Sequence, residues 1–373
     1  MTSKLLSSLL TSVCASMLVL PVHGIADTPL GWINSSNSSA YTIGAGELEI
    51  SLGGLAVNST IDFLNIRDDL IANNRALEGD SGDFSGKKFE LHYGITESLA
   101  VFYKQQQHSL TIDLGEIASV SLVDIDNSLD TTQQSAGFKW TFFEANILNP
   151  DNRRSAASLE LSVYSNKSND FDVMIDELRF DNLQIFFTNP QTFSVSELED
   201  EGWKARFVYS FEMSQIGIAS AWVGYGESKA TSATTSDLTN AALKRFFKQS
   251  FKVEESYAYL GASMMIQIKP RIPLNISYEY INISNSVFDR FPATPPAQLP
   301  GFLSASSQSG ESGNHTLKAR ISYWLSPQFN ISLTGNLYSN QFLGVLPHYN
   351  NPLSGSFSSI PYGFAGIELG YKF

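Results

Sequence analysis

The amino-acid sequence predicts an all-β chain: a closed antiparallel barrel of about twelve strands that crosses a membrane. Apolar and polar residues alternate with period 2 from about residue 43 to the C-terminus. The connections between these alternating segments are short and long by turns. The first 26 residues read as an export signal, and no other run is apolar enough for a spanning helix. An exported chain lacking such a helix can still span a bilayer as a closed barrel, where every backbone group is paired between strands.

The alternation is clearest near the C-terminus. Over 330–338, Ile331, Leu333, Gly335 and Leu337 share one face, against Asn330, Ser332, Thr334, Asn336 and Tyr338 on the other. Over 316–325, Leu317, Ala319, Ile321, Tyr323 and Leu325 oppose Thr316, Lys318, Arg320, Ser322 and Trp324. Such alternation marks strands with one apolar and one polar face. Twelve segments are expected: 43–57, 85–94, 98–112, 133–145, 156–167, 203–213, 216–228, 253–268, 272–284, 314–325, 328–341 and 362–373. Most reach the roughly 9–11 residues that a tilted strand needs to cross a bilayer. In 216–228, adjacent Trp222 and Val223 leave the outward face open.

Short turns are expected at 95–97, 146–155, 214–215, 270–271 and 326–327, and long connections at 58–84, 113–132, 168–202, 229–252, 285–313 and 342–361. A soluble β-sandwich has no reason to sort its loops in this way. An even strand count puts both chain ends on the short-turn side. Within 236–251, Leu238, Ala242, Leu243, Phe246 and Phe247 have helical spacing behind a Ser-Asp cap, so a short helix at the barrel mouth is expected.

Residues 1–26 form the export signal: Lys4 supplies the positive charge, 5–20 the apolar stretch and Pro21 its end. Small Gly24 and Ala26 place the cut before Asp27, with a cut after Gly24 as the alternative. The expected divisions are thus 1–26 signal peptide, 27–42 periplasmic N-terminal segment and 43–373 barrel. Cys14, the single cysteine, falls in the signal, which leaves no disulfide or thiolate metal site in the mature chain.

Composition narrows the function classes. Only 16% of the 373 residues are charged, yet the mean hydropathy of −0.08 excludes a bundle of membrane helices. A net charge of −13 without a basic stripe argues against nucleic acid as partner. No Gly-x-Ser-x-Gly, His-Glu-x-x-His or P-loop motif is present. His92, His108, His315 and His348 are scattered, so no metal or other cofactor is expected. The segments 58–84 and 168–202 are acidic but lack an Asp-x-Asp-x-Asp-Gly loop, and solvated acidic loops are expected rather than calcium sites.

With apolar faces outward, the other faces fill the lumen. The candidate lining residues are Glu47, Glu49, Lys88, Glu90, Lys104, Lys139, Glu160, Lys204, Arg206, Glu279, Lys318, Arg320, Glu368 and Lys372, together with His92. Opposite charges fall on neighbouring strands: Glu160 beside Lys204 and Arg206, Glu279 beside Lys318 and Arg320, and Lys372 and Glu368 near Glu47 and Glu49 where the last strand meets the first. Two readings follow. Either these charges neutralise one another and fill a narrow lumen, or Lys204, Arg206, Lys318 and Arg320 form a basic wall in a water-filled pore.

The last segment places Ala365, Ile367, Leu369, Tyr371 and Phe373 on one face and stops on Phe373. It resembles the C-terminal assembly signal of bacterial outer-membrane β-barrel proteins, with Leu369, Tyr371 and Phe373 as its candidate residues. The turn from Tyr93 through Gly94, Ile95, Thr96, Glu97 and Ser98 to Leu99 is similar to their periplasmic hairpins. The asymmetry of short periplasmic turns and long outer loops is also theirs. Tyr93, Phe142, Phe211, Tyr323, Tyr371 and Phe373 are placed to form one aromatic girdle. The resemblance is porin-like, covers nearly all of the mature chain and names no specific family. It implies the outer membrane of a Gram-negative bacterium, contact with lipid and lipopolysaccharide, and recognition of the last strand by the barrel-assembly machinery. The function expected is a passive channel for small polar or anionic solutes. The alternatives are a closed structural or adhesive barrel and a lipid-modifying enzyme. Outer-membrane phospholipases carry a histidine and a serine two residues apart on a lipid-facing strand, whereas His108 and Ser109 are adjacent here and point to opposite faces.

Overall fold

The computed structural model describes residues 38–57, 84–110, 120–125, 129–147, 153–180, 183–213, 217–237, 244, 249–291, 313–339 and 362–373. The export signal, most of 58–84 and 342–361, and most of the helical turn expected within 236–251 lie outside the described residues. In chain order the strands are β1 (Leu48–Val57), β2 (Phe84–Thr96), β3 (Leu99–Leu110), β4 (Val120–Ile125), β5 (Leu129–Ile147), β6 (Arg153–Ser168) and β7 (Phe171–Phe180). They continue with β8 (Leu183–Glu212), β9 (Gly217–Ser236), β10 (Gln249–Lys269), β11 (Ile272–Phe291), β12 (Gly313–Trp324), β13 (Phe329–Ser339) and β14 (Tyr362–Lys372).

Twelve of these strands close into a barrel. Their order round the ring is β8-β6-β5-β3-β2-β1-β14-β13-β12-β11-β10-β9, and antiparallel pairing of β9 with β8 seals it. First and last strands pair over eight residues, from Glu49 with Lys372 to Ala56 with Ala365. Each of the twelve expected segments is one of these strands. β4 and β7 lie outside the ring and extend the sheet from the N-terminal half of β8.

The chief difference from the sequence reading is 168–202, expected as a loop. It is instead a hairpin in which β7 pairs with Leu183–Val195 of β8 and runs on from β6 after only Asn169 and Asp170. A bulge in β8 between Ser196 and Glu199 faces this break, and Glu197 there adopts a φ of 56°. Dense carboxylates signalled a loop because charges are excluded from a lipid-facing strand. Beyond the bilayer both faces of a hairpin are solvated, so the acids are tolerated on a strand. β9 and β11 likewise run into the connections expected at 229–252 and 285–313. At about 3.4 Å per residue, the 21 residues of β10 exceed what a bilayer spans, so the wall continues past it on the long-connection side.

The pleat sorts the side chains. Leu52, Val163, Val223 and Leu260 are more than half exposed on the outside. Alternating with them, Ser51, Glu90, Val208 and Tyr259 are buried inside. The same alternation settles β9, where Val223 points out and Trp222 in. Tyr93, Phe142, Phe211, Tyr371 and Phe373 are exposed at the short-turn end, as a lipid-facing girdle requires, and Tyr371 meets Phe373 edge-on at 4.6 Å.

Inside, rings lie flat over glycines of the adjacent strand. Tyr257 covers Gly226, Tyr259 covers Gly224 and Trp222 covers Gly261. A Cβ at Gly261 would fall 2.3 Å from the Trp222 ring. Gly261→Val is therefore expected to force the indole off the wall and destabilise the barrel by about 1–3 kcal/mol, the usual range for overpacking. The measurement is the temperature at which the folded, fast-migrating band is lost in SDS gels. An unchanged transition would show that the ring does not depend on the glycine.

Candidate functional site in the barrel interior

Charged residues on the inner face form two networks. In the first, Lys88 Nζ lies 3.0 Å from Glu90 and 2.9 Å from Glu368, and Arg320 lies 3.1 Å from Glu368. Glu368 was expected to approach Glu47 and Glu49 but turns inward instead. The cause is Gly53, the β1 residue in register with both Glu368 and Lys88. A Cβ there would sit 2.9 Å from Glu368 Cγ, so only glycine leaves the path across β1 open. Lys372 does meet Glu47, at 2.7 Å, and the Gly44 amide donates to the same carboxylate at 2.8 Å. Burial alone would raise the Glu47 carboxyl; these two hydrogen bonds and the Lys372 charge hold it below its ordinary range. Glu49 is buried between its register partners Lys372 and His92.

The second network lies across the lumen. Arg206 Nη2 donates to Glu160 at 2.6 Å, and the Arg206 guanidinium sits 5.5 Å from the centre of the Trp222 ring. Trp222 Nε1 donates to Glu279 at 2.9 Å. Glu279 is within electrostatic reach of Lys318 and Lys204, whereas Arg320, also expected beside it, is held by Glu368. Trp222 therefore joins the two acids through Arg206, a role that the ambiguous faces of its strand had hidden.

On the inner face Lys104, Lys204 and Lys318 have no carboxylate within ion-pair distance among the described residues, and neither does Lys139, which bonds a backbone carbonyl instead. Lys104 lies 5.4 Å from the Phe102 ring centre and Lys204 lies 5.1 Å from that of Tyr164. Lys318 is exposed although it belongs to the inner face, with Thr316 and Ser322 buried above and below it on β12. A void that admits water thus opens at mid-height. Gln106, Gln133, Ser135 and Asn336 on the same face are only partly buried.

The described part of 27–42 lies against the inner wall at the short-turn end. Lys139 Nζ donates to the Ser39 carbonyl at 2.9 Å and the Thr141 hydroxyl to the Ala40 carbonyl at 2.7 Å. The Ala40 amide donates to Ser210 Oγ at 2.7 Å, and the Ser263 hydroxyl to the Ser38 carbonyl at 3.3 Å. This strap crosses β5, β8 and β10, and Lys139 is spent on holding it. The sequence of the strap carries no apolar period that would have placed it there. Among the described residues, no group of three or more His, Cys, Asp or Glu is arranged to hold a metal ion. His108 is buried on the inner face while its neighbour Ser109 is partly exposed.

No protein-family model and no curated protein sequence matches the chain. Among solved structures it is similar to an outer-membrane channel from Pseudomonas putida F1, at 10% identity over 91% of this chain and 100% of that one, with a TM-score of 0.42. It is also similar to the toluene transporter TbuX of Ralstonia pickettii, at 8% identity over 94% and 95% of the two chains (TM-score 0.43). A third likeness is to the outer-membrane protease OmpT of Escherichia coli, at 9% identity over 88% and 94% (TM-score 0.32). Identities near 10% and scores below 0.5 leave substrate and mechanism to be read from the barrel's own side chains.

Glu368 is 1% exposed and serves two cations. Glu368→Ala removes an ion-pair partner of Arg320 and one of the two acids that hold Lys88. Breaking a buried pair in this way costs about 3–5 kcal/mol. The mid-point of urea unfolding in detergent micelles should fall accordingly; a wild-type mid-point would mean that water already shields these charges.

Proposed function

We propose that the chain is a passive channel of the bacterial outer membrane that passes small polar solutes and favours anions. The observation that carries this reading is Lys318, exposed inside a barrel whose other inner residues on the same strand are mostly buried. A filled interior has no use for an exposed lysine. A water-filled waist does, because a positive potential at the narrow point raises the local concentration of anions and repels cations. The basic wall is Lys104, Lys204 and Lys318 rather than the four residues first considered. Arg206 and Arg320 are neutralised by Glu160 and Glu368 and act as part of the wall. The outer-membrane location is supported by the closed sheet with its apolar outer surface and the aromatic girdle at its short-turn end. The girdle also supports recognition of the final strand by the assembly machinery through Leu369, Tyr371 and Phe373, all exposed to the outside.

Purified protein in planar bilayers is expected to give steady ohmic steps and a reversal potential that favours chloride over potassium in a salt gradient. The preference should weaken as salt rises, since the Debye length shrinks from about 10 Å at 0.1 M to about 3 Å at 1 M. Folded protein that gives no current would overturn the channel reading in favour of a closed barrel. Removing 27–42 from the mature chain clears the strap from the lumen floor, and single-channel conductance should rise. Deleting Phe373 should sharply lower the amount of folded protein in the outer membrane; normal levels would remove the assembly-signal role.

A further inference from the structure

We infer that the waist holds a binding site for a compact anion with two or three negative charges, built from Lys104, Lys204 and Lys318. The inference rests on the channel reading for its access route but names a saturable site rather than a charge preference. The three lysines stand on β3, β8 and β12, which are three, four and five steps apart round the twelve-strand ring. They therefore enter the lumen from three well-separated directions. Lys318 nonetheless lies within electrostatic reach of both Lys104 and Lys204. Three ammonium groups converging inside a barrel repel one another, and a low-dielectric wall strengthens that repulsion.

The protein supplies only part of the counter-charge. Among the described residues Glu160 is paired with Arg206 and Glu90 with Lys88, while Glu279, bonded to the neutral Trp222 indole, faces both Lys204 and Lys318 and offsets one of the three positive charges, leaving an excess of two. The Phe102 and Tyr164 rings hold Lys104 and Lys204 in place without neutralising them. This arrangement differs from a general electropositive lining, where charges are spread along the pore. Donors that enter from three sides and lie within electrostatic reach of one another fit the oxygens of a single small polyanion. Each ammonium offers up to three donors, and charge-assisted bonds of this kind are the strong ones. A monovalent ion such as chloride satisfies the charge of only one lysine and is expected to pass without being held.

The test uses inorganic phosphate and citrate as probes against a chloride background, on full-length mature protein reconstituted in bilayers. Phosphate and citrate should block chloride current in a saturable way. The block should weaken by about tenfold for each lysine replaced by Gln, and Lys318→Arg should retain it. Because the lysines repel one another, Lys104→Gln, which leaves Glu279 its two facing lysines, is expected to unfold at the same temperature as wild type or higher when phosphate is absent; the triple Gln variant serves as the variant without the site. Phosphate should raise the unfolding temperature of wild type only, by linkage. A barrel that conducts chloride with anion preference but shows neither block nor phosphate-dependent stabilisation overturns the site and leaves the channel intact. If the protein carries no current, the channel reading fails, and equilibrium dialysis of phosphate against the folded protein decides the site by itself: binding lost in the triple variant supports it, and no binding overturns it.

Discussion

Closure of the sheet on itself is the constraint from which the other features follow. In hydrocarbon an unpaired backbone group costs several kcal/mol, so a spanning sheet tolerates no edge. The ring is complete because β14 pairs with β1 and β9 pairs with β8. Once it is complete, the pleat leaves each spanning residue two destinations, lipid or lumen. A chain carrying Lys, Arg and Glu on its strands has only the lumen in which to put them. Cations and acids from distant parts of the sequence are thereby driven into one small volume, and the ion pairs of Glu368 and Glu160 are consequences of that crowding. Outside the bilayer the constraint lapses. It is there that β7 and the first half of β8 carry Asp172, Glu177 and their neighbours on strands.

What was legible in the sequence is what the pleat alone determines. Period 2 located all twelve barrel strands and assigned the charged residues to the inner face, because that assignment needs only local alternation. Partnership inside the lumen depends on which neighbours leave room, and alternation does not report that. Glu368 reaches Lys88 because Gly53 between them has no side chain. A glycine on a strand reads in the sequence only as a weak position. The strap at 38–42 was invisible for a related reason. It is held by side-chain hydroxyls and Lys139 acting on its backbone carbonyls and amide, and such bonds are indifferent to which residues the strap contains. The hairpin at 168–202 is hidden in the sequence by its acidity, which is excluded from a lipid-facing strand but not from one beyond membrane depth.

The interior is also uneven from side to side. Trp222, Tyr257, Tyr259, Ile281 and Ile283 make the wall of β9, β10 and β11 largely apolar, with rings laid against glycines. From β12 onward round the ring, β12, β14, β1 and β2 carry Arg320, Glu368, Glu49, Lys88 and Glu90. Flat rings take little of the cross-section, so the apolar wall leaves space that upright side chains would fill. Side chains of Lys104 and Lys204, each lying near an aromatic ring, border that space, and Lys318 projects into it.

The economy of charge in this lumen separates wall from waist. A buried carboxylate or guanidinium is tolerable only with its partner in place, and Glu160, Glu368, Arg206 and Arg320 each have one. An unpaired ammonium needs water or a ligand. Lys104, Lys204 and Lys318 have no ion-pair partner among the described residues, and Lys318 is exposed to the lumen. The same three are separated round the ring so that no single strand could supply them. Glu279 faces Lys204 and Lys318 without an ion-pair contact, so neutralisation is incomplete here, whereas Arg206 and Arg320 on the same strands are each paired. Leaving their charge in excess costs folding stability, and an anion brought in from solution is the counter-charge that would offset that cost.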